Sequence, residues 1–268
     1  MHLSSFFDRW LEMASRRLTR YLGAPNPRYM PIALTKSGEM EQTIRRGDVL
    51  LVEGSSKFST TIKYLTQSTW SHAALFVGEA TVDGKPGTPA LIEADLEKGV
   101  VVIPLASYTH IHTRICRPVG LSEREVSLLI EYAMSRVGNQ YDMKNIVDLL
   151  RYLMPTPPVP VRWRRRLLAL GSGEPTRAIC STFIAQAFQS IRYPILPHLV
   201  RRPQPYRDGR PCNACEEDYF QIRHHSLFAP RDFDLSPYFQ IVKPVIHADF
   251  SHRDITWDSP HVSLGDNE

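Results

Sequence analysis

Cysteine is scarce in this 268-residue chain. Cys116, Cys180, Cys212 and Cys215 are too few to staple a fold of this size, so reduced thiols and a cytoplasmic location are expected. No run of about 20 apolar residues exists, as a transmembrane helix would need. A secretory layout is also missing, because Asp8, Arg9 and Glu12 interrupt the apolar residues near the start. The sequence has no glycine-rich phosphate loop, no His-Glu-x-x-His helix and no Gly-x-Ser-x-Gly elbow. Their absence removes the commonest routes to nucleotide binding, zinc proteolysis and serine esterase chemistry.

What is present is the composition of a globular protein: 43% hydrophobic and 22% charged residues, enough to bury a full-sized core. The net charge of +4 is modest and gathered in clusters at Arg16, Arg17 and Arg20, at Arg162 and Arg164 to Arg166, and at Arg201 and Arg202. Scattered arginines of this kind do not make a nucleic-acid site, and no nucleic-acid partner is expected.

Three segments can be told apart. Residues 1–30 read as an amphipathic helix and linker, with Leu3, Phe6, Phe7, Trp10 and Leu11 near helical spacing and arginines between them. Such a helix packs its apolar face on the main domain or lies at a membrane interface. Residues 31–193 form the core. There Val49–Val52 reads as a buried strand, Phe58–Gln67 as a short helix and Ser71–Gly78 as a second strand. A turn over Thr81–Pro89 leads to strands at Ala90–Ala94 and Gly99–Pro104. Ser122 with Glu125 is a capping-box signature that opens a helix through Arg136. A further helix is expected at about Met143–Leu153, and another from about Thr176–Cys180 to Gln189. Residues 194–268 read as an irregular, proline-rich extension packing on the core. Strands followed by segregated helices argue for an α+β fold.

Cys180 stands out by its position. It falls at the N-terminus of the last strong helix, where the helix dipole and unpaired N–H groups favour a thiolate and can hold an oxyanion. A thiolate nucleophile needs a base that passes its proton on. His72 is the candidate, because an imidazole in a strand of small and apolar residues is costly without a partner. Glu93, in the apolar run Ala90-Leu91-Ile92-Glu93-Ala94, is the carboxylate that can orient it, with Asp95 in reserve. Ser71 points to the opposite strand face from His72 and is not a serine nucleophile. Cys212-Asn213-Ala214-Cys215 followed by His224 and His225 could supply two thiolates and two imidazoles. The adjacent histidines lack the usual ligand spacing, and neither a metal nor a cofactor is expected.

The segments Arg46–Val52, Ser71–Gly78, Ile92-Glu93-Ala94, Gly138-Asn139-Gln140-Tyr141-Asp142 and Ile179–Phe183 resemble, in that order, the permuted NlpC-type papain-like hydrolases, nearest to the YiiX/YebB-like branch. The resemblance covers roughly residues 46–192. It implies an antiparallel sheet packed against helices, with Cys180 at a helix tip facing His72 and with Glu93 as the third polar residue. It also implies Tyr141 and Ser181 as substrate contacts. The activity implied is amide, ester or thioester cleavage, or acyl transfer, through a cysteine acyl-enzyme on a lipid-like or peptide-like substrate. A lipid- or acyl-binding module that uses the same groove without catalysis is the other reading. Residues 147–171 stand out as an insertion, apolar and basic together, suited to peripheral membrane contact.

Overall fold

Val49–Val52 (β1) has no polar residue, and all four of its side chains are buried. A strand apolar on both faces must sit inside a sheet that is covered on both sides. The computed structural model describes residues 24, 37–95, 98–139, 179–203, 206–207, 210–211 and 216–244. In it, β1 lies in the middle of a six-stranded antiparallel sheet. One neighbour is β2 (His72–Val82), followed outward by β3 (Lys85–Asp95) and β4 (Gly99–Pro104). The other is β5 (Thr113–Pro118), with β10 (Phe239–Val242) at the edge.

Alternation along the strands divides the core into two layers. Val49, Leu51, Ala73, Leu75, Ile92 and Ala94 face α3 (Glu123–Met134) and α4 (Ile179–Ser190), which bring Leu129, Ala133, Phe183, Ile184 and Phe188. Leu50, Val52, Ala74, Phe76 and Leu91 face the other way. They are covered by Met40 of α1 (Ser37–Thr43), by Ile44 and by Leu105 of the 3₁₀ turn Leu105–Tyr108. Ser122 caps α3 with the reciprocal Glu125 bonds that the sequence predicts. The helix α2 (Lys57–Thr66) is capped by Ser56, whose hydroxyl accepts from the Ser59 N–H at 3.0 Å.

Two expectations change. The turn expected over Thr81–Pro89 contracts to Asp83-Gly84, both at positive φ (48° and 78°), the conformation that matches the twist of a hairpin. Pro86 and Gly87 therefore lie within β3. A proline is tolerated there because β4 pairs with β3 only from Ala90 onward, so no ladder bond is lost on that side. The stretch beyond Pro194 also carries more regular structure than its prolines suggest. β6 (His198–Pro203) pairs with β9 (Glu216–Gln221), and the two-residue β7 (Tyr206–Arg207) pairs with β8 (Arg210–Pro211). After α5 (Pro230–Leu235), β10 joins β5 and completes the main sheet. The N-terminal helix, the helix expected at 143–153 and the 147–171 insertion lie outside the described residues. Among the described residues, no helix is long and apolar enough to cross a membrane.

One ion pair fixes the start of β1. Asp48 is 1% exposed and accepts from Arg117 Nε and Nη2 at 3.0 and 2.8 Å, and from the Arg45 N–H at 2.8 Å. Arg117 Nη2 also donates to the Thr43 carbonyl at 2.7 Å, so the pair ties α1 to β1 and β5. Asp48→Ala would leave a guanidinium without its counter-ion. It should lower unfolding stability in urea by about 3–5 kcal/mol; a loss under about 1 kcal/mol, the range of a surface pair, would show that the contact is peripheral.

Candidate active site

The last turn before β2 sets the geometry. Ser71 is buried, and its hydroxyl accepts from the Gly54 N–H at 2.9 Å, tying the end of β1 to the start of β2. A Cβ on Gly54 would stand 2.9 Å from that hydroxyl oxygen, so the approach needs glycine. This contact leaves Ser71 in a structural role and places His72 as the first residue of β2, opposite Val52.

His72 shares strand parity with Ala74 and Phe76, and Glu93 shares it with Leu91, so both polar side chains emerge on one sheet face. There the His72 Nε2 and the Glu93 Oε2 are hydrogen-bonded at 2.7 Å. The same Oε2 accepts from the Tyr108 hydroxyl at 2.7 Å, delivered by the 3₁₀ turn that closes over this face. Glu93 is thus held by two donors in a largely buried position, its side chain 9% exposed. Cys180 sits in the first turn of α4, 5% exposed, and its sulfur lies close enough to the His72 ring to favour a charge on it. Nε2 is committed to Glu93, which leaves Nδ1 as the ring nitrogen available for proton exchange.

Burial opposes a charge on His72, but the Glu93 carboxylate and then the Cys180 sulfur outweigh it, and the imidazolium persists well above the ordinary 6.5. Burial likewise opposes the charge on Glu93, yet His72 and the Tyr108 hydroxyl hold its carboxyl below the usual 4.5. Burial, followed by the Glu93 charge, pushes the Tyr108 phenol far up, so it remains a donor. The arrangement is therefore a cysteine sulfur beside an imidazolium that a carboxylate holds in place, which suits nucleophilic attack on a carbonyl.

The structure brings Cys180, His72 and Glu93 together. Asp95 accepts from the Lys98 N–H at 2.8 Å. The Ser181 side chain is fully buried and donates to the Phe228 carbonyl at 2.7 Å, which places it in the packing against the C-terminal segment. Tyr141, Cys212 and Cys215 lie outside the described residues. His224 Nδ1 pairs with the Ser226 hydroxyl at 2.8 Å. Among the described residues, no group of three His, Cys, Asp or Glu side chains could hold a metal ion. Tyr108 was not expected at the site. It belongs to no motif, and only the tertiary fold brings it to Glu93.

Residues 43–152 match the model of a family described as permuted papain-like amidase enzymes, the YaeF/YiiX, C92 family. That stretch holds His72, Glu93 and Tyr108 and ends before Cys180. Among solved structures, the chain is similar to the metalloprotein yiiX from Escherichia coli O157:H7. The identity is 16% and the TM-score 0.44, over 75% of this chain and 97% of that one. No curated protein matches.

The His72–Glu93 pair should leave a signature in stability against pH. The raised His72 contributes fully below 6.5 and loses its contribution as pH rises through its folded value. The lowered Glu93 contributes fully above 4.5 and loses its contribution as pH falls through its folded value. The stability advantage of wild type over Glu93→Gln should therefore be widest between pH 4.5 and 6.5 and shrink on both sides. Denaturant melts across pH check this, and a flat difference would refute the coupling.

Proposed function

We propose that this chain is a cysteine hydrolase of amide bonds, with Cys180 as its nucleophile, His72 its acid–base and Glu93 the group that orients His72; the match of residues 43–152 to the permuted papain-like amidase model supports this reading. The observation that carries this reading is the His72 ring, hydrogen-bonded to the Glu93 carboxylate at 2.7 Å with the Cys180 sulfur close by. With the proton of the Cys180 thiol held on His72, the sulfur attacks the amide carbonyl carbon and forms a C–S bond. The carbonyl oxygen takes the negative charge, and N–H groups at the start of α4, which have no partner within the helix, are the donors nearest to it. Collapse of this intermediate breaks the C–N bond, and His72 gives its proton to the departing amine. Water, deprotonated by His72, then attacks the thioester, releasing the acid and returning the thiol. Tyr108 acts through Glu93 as a positioning residue.

The substrate reading is a lipid-like or peptide-like amide. The basic-apolar sequences of the N-terminal segment and of residues 147–171 support the lipid-like side of it. Transfer of the acyl group to an acceptor other than water uses the same first half-reaction.

Cys180→Ala and His72→Ala should each lower kcat for an acyl-amide by about four orders of magnitude or more, and Glu93→Gln by markedly less. Circular dichroism should show the fold retained. Substantial amide cleavage by Cys180→Ala would remove it as nucleophile.

A further inference from the structure

A second cluster of charged side chains lies at the end of the sheet where His72 stands. Glu53 directly follows Val52, the register partner of His72, and Trp70 precedes His72 by two residues. They line a cavity of about 590 Å³ together with Lys63, His112, Arg114, Arg231 and Asp234. Cys180, His72 and Glu93 do not line it, and its link to them is through the chain ends that flank His72, at Glu53 after β1 and Trp70 before β2.

Both acids in this wall are already engaged. Glu53 Oε2 is bonded to His112 Nδ1 at 2.7 Å, and its Oε1 faces Lys63 Nζ at 3.6 Å. Asp234 accepts from Arg114 Nη1 at 2.7 Å and from the Trp70 indole N–H at 3.0 Å. The Arg114 guanidinium lies over the Trp70 ring, 4.9 Å from its centroid, so the indole is held rigidly. Arg231 differs from these residues. Its Nη1 donates to the neutral Thr66 carbonyl, and neither cavity acid pairs with it. The neighbouring Asp232 accepts from the Ala229 N–H and faces Arg223 at 3.9 Å, and the Arg231 charge reaches it without a direct bond. Lys63, Arg114 and Arg231 against Glu53 and Asp234 leave one positive charge in excess, before His112 is counted. A guanidinium has five N–H donors in a fork that fits carboxylate and phosphate, and one hydrogen bond to a carbonyl leaves most of them available.

We propose that this cavity is a substrate subsite beside the cysteine–histidine pair, and that it receives an anionic group, a carboxylate or a phosphate, carried by the amide substrate. Arg231 is its principal ligand and Trp70 its apolar wall. The assignment rests on the amide-hydrolase reading and narrows it to acidic amides. A cationic group would meet acids that already have counter-ions and an excess of like charge.

Octanoylglycine, its carboxamide and octanoyl-phosphoethanolamine share an acyl-amide and differ in the group beyond it. Titrated calorimetrically into the Cys180→Ala protein, the carboxylate or the phosphate should bind about tenfold or more tightly than the carboxamide, as a charge-assisted hydrogen bond predicts. Whichever anion binds more tightly identifies the natural group. Arg231→Gln should erase the preference, and Arg231→Lys should restore part of it. Equal binding of all three compounds, binding of none, or a preference that survives in folded Arg231→Gln would overturn the subsite. If Arg231→Gln does not fold, the ligand series in the Cys180→Ala protein still decides. Since binding is read apart from turnover, failure of the wild type to cleave any of the three amides would count against the hydrolase reading alone.

Discussion

The hydrogen bond between His72 Nε2 and Glu93 Oε2 is the interaction from which the chemistry of this protein follows. It joins an imidazole and a carboxylate on adjacent strands, in surroundings that by themselves favour the neutral form of each. Each group holds the other in its charged form. Tyr108 adds a third member, donating to the same carboxylate oxygen and restricting where Glu93 can point. The outcome is an imidazolium with one nitrogen fixed by a carboxylate and a sulfur close to the ring. An exposed histidine would have neither the fixed orientation nor the altered proton affinity.

That bond exists because the sheet is packed on both sides. The apolar β1 sets the centre, and the Asp48–Arg117 pair anchors its start against β5 and α1. β2 and β3 then lie in a register that places His72 and Glu93 on the same face. Across the sheet, Phe183, Ile184 and Phe188 seat α4 on β2 and β3 so that its first turn reaches His72. The cysteine comes from a part of the chain distant in sequence. Its position is therefore a product of core packing, and mutations that loosen this layer should act on the site without touching it.

Much of the site was legible in the sequence because its residues break local rules. His72 and Glu93 are polar residues in apolar strands, and Cys180 opens a helix; each irregularity has a physical cost that a function can explain. The residues that were not legible break no rule. Tyr108 is an ordinary tyrosine until the 3₁₀ turn folds over Glu93. Ser181 follows the nucleophile candidate, but a helix rotates successive side chains by about 100°, and this one turns inward to Phe228. The four-residue β10 is hidden in a proline-rich stretch and forms only because β5 offers it an edge. Pro86-Gly87 reads as a turn in one dimension, whereas in the sheet β3 has a single partner there.

The central claim is that His72 is an imidazolium held between Glu93 and Cys180. Nuclear magnetic resonance of the His72 ring across pH tests it most directly. The titration midpoint should lie well above the ordinary 6.5 in the wild type and fall when either Glu93→Gln or Cys180→Ala removes a partner. A midpoint near 6.5 that neither substitution moves would contradict it.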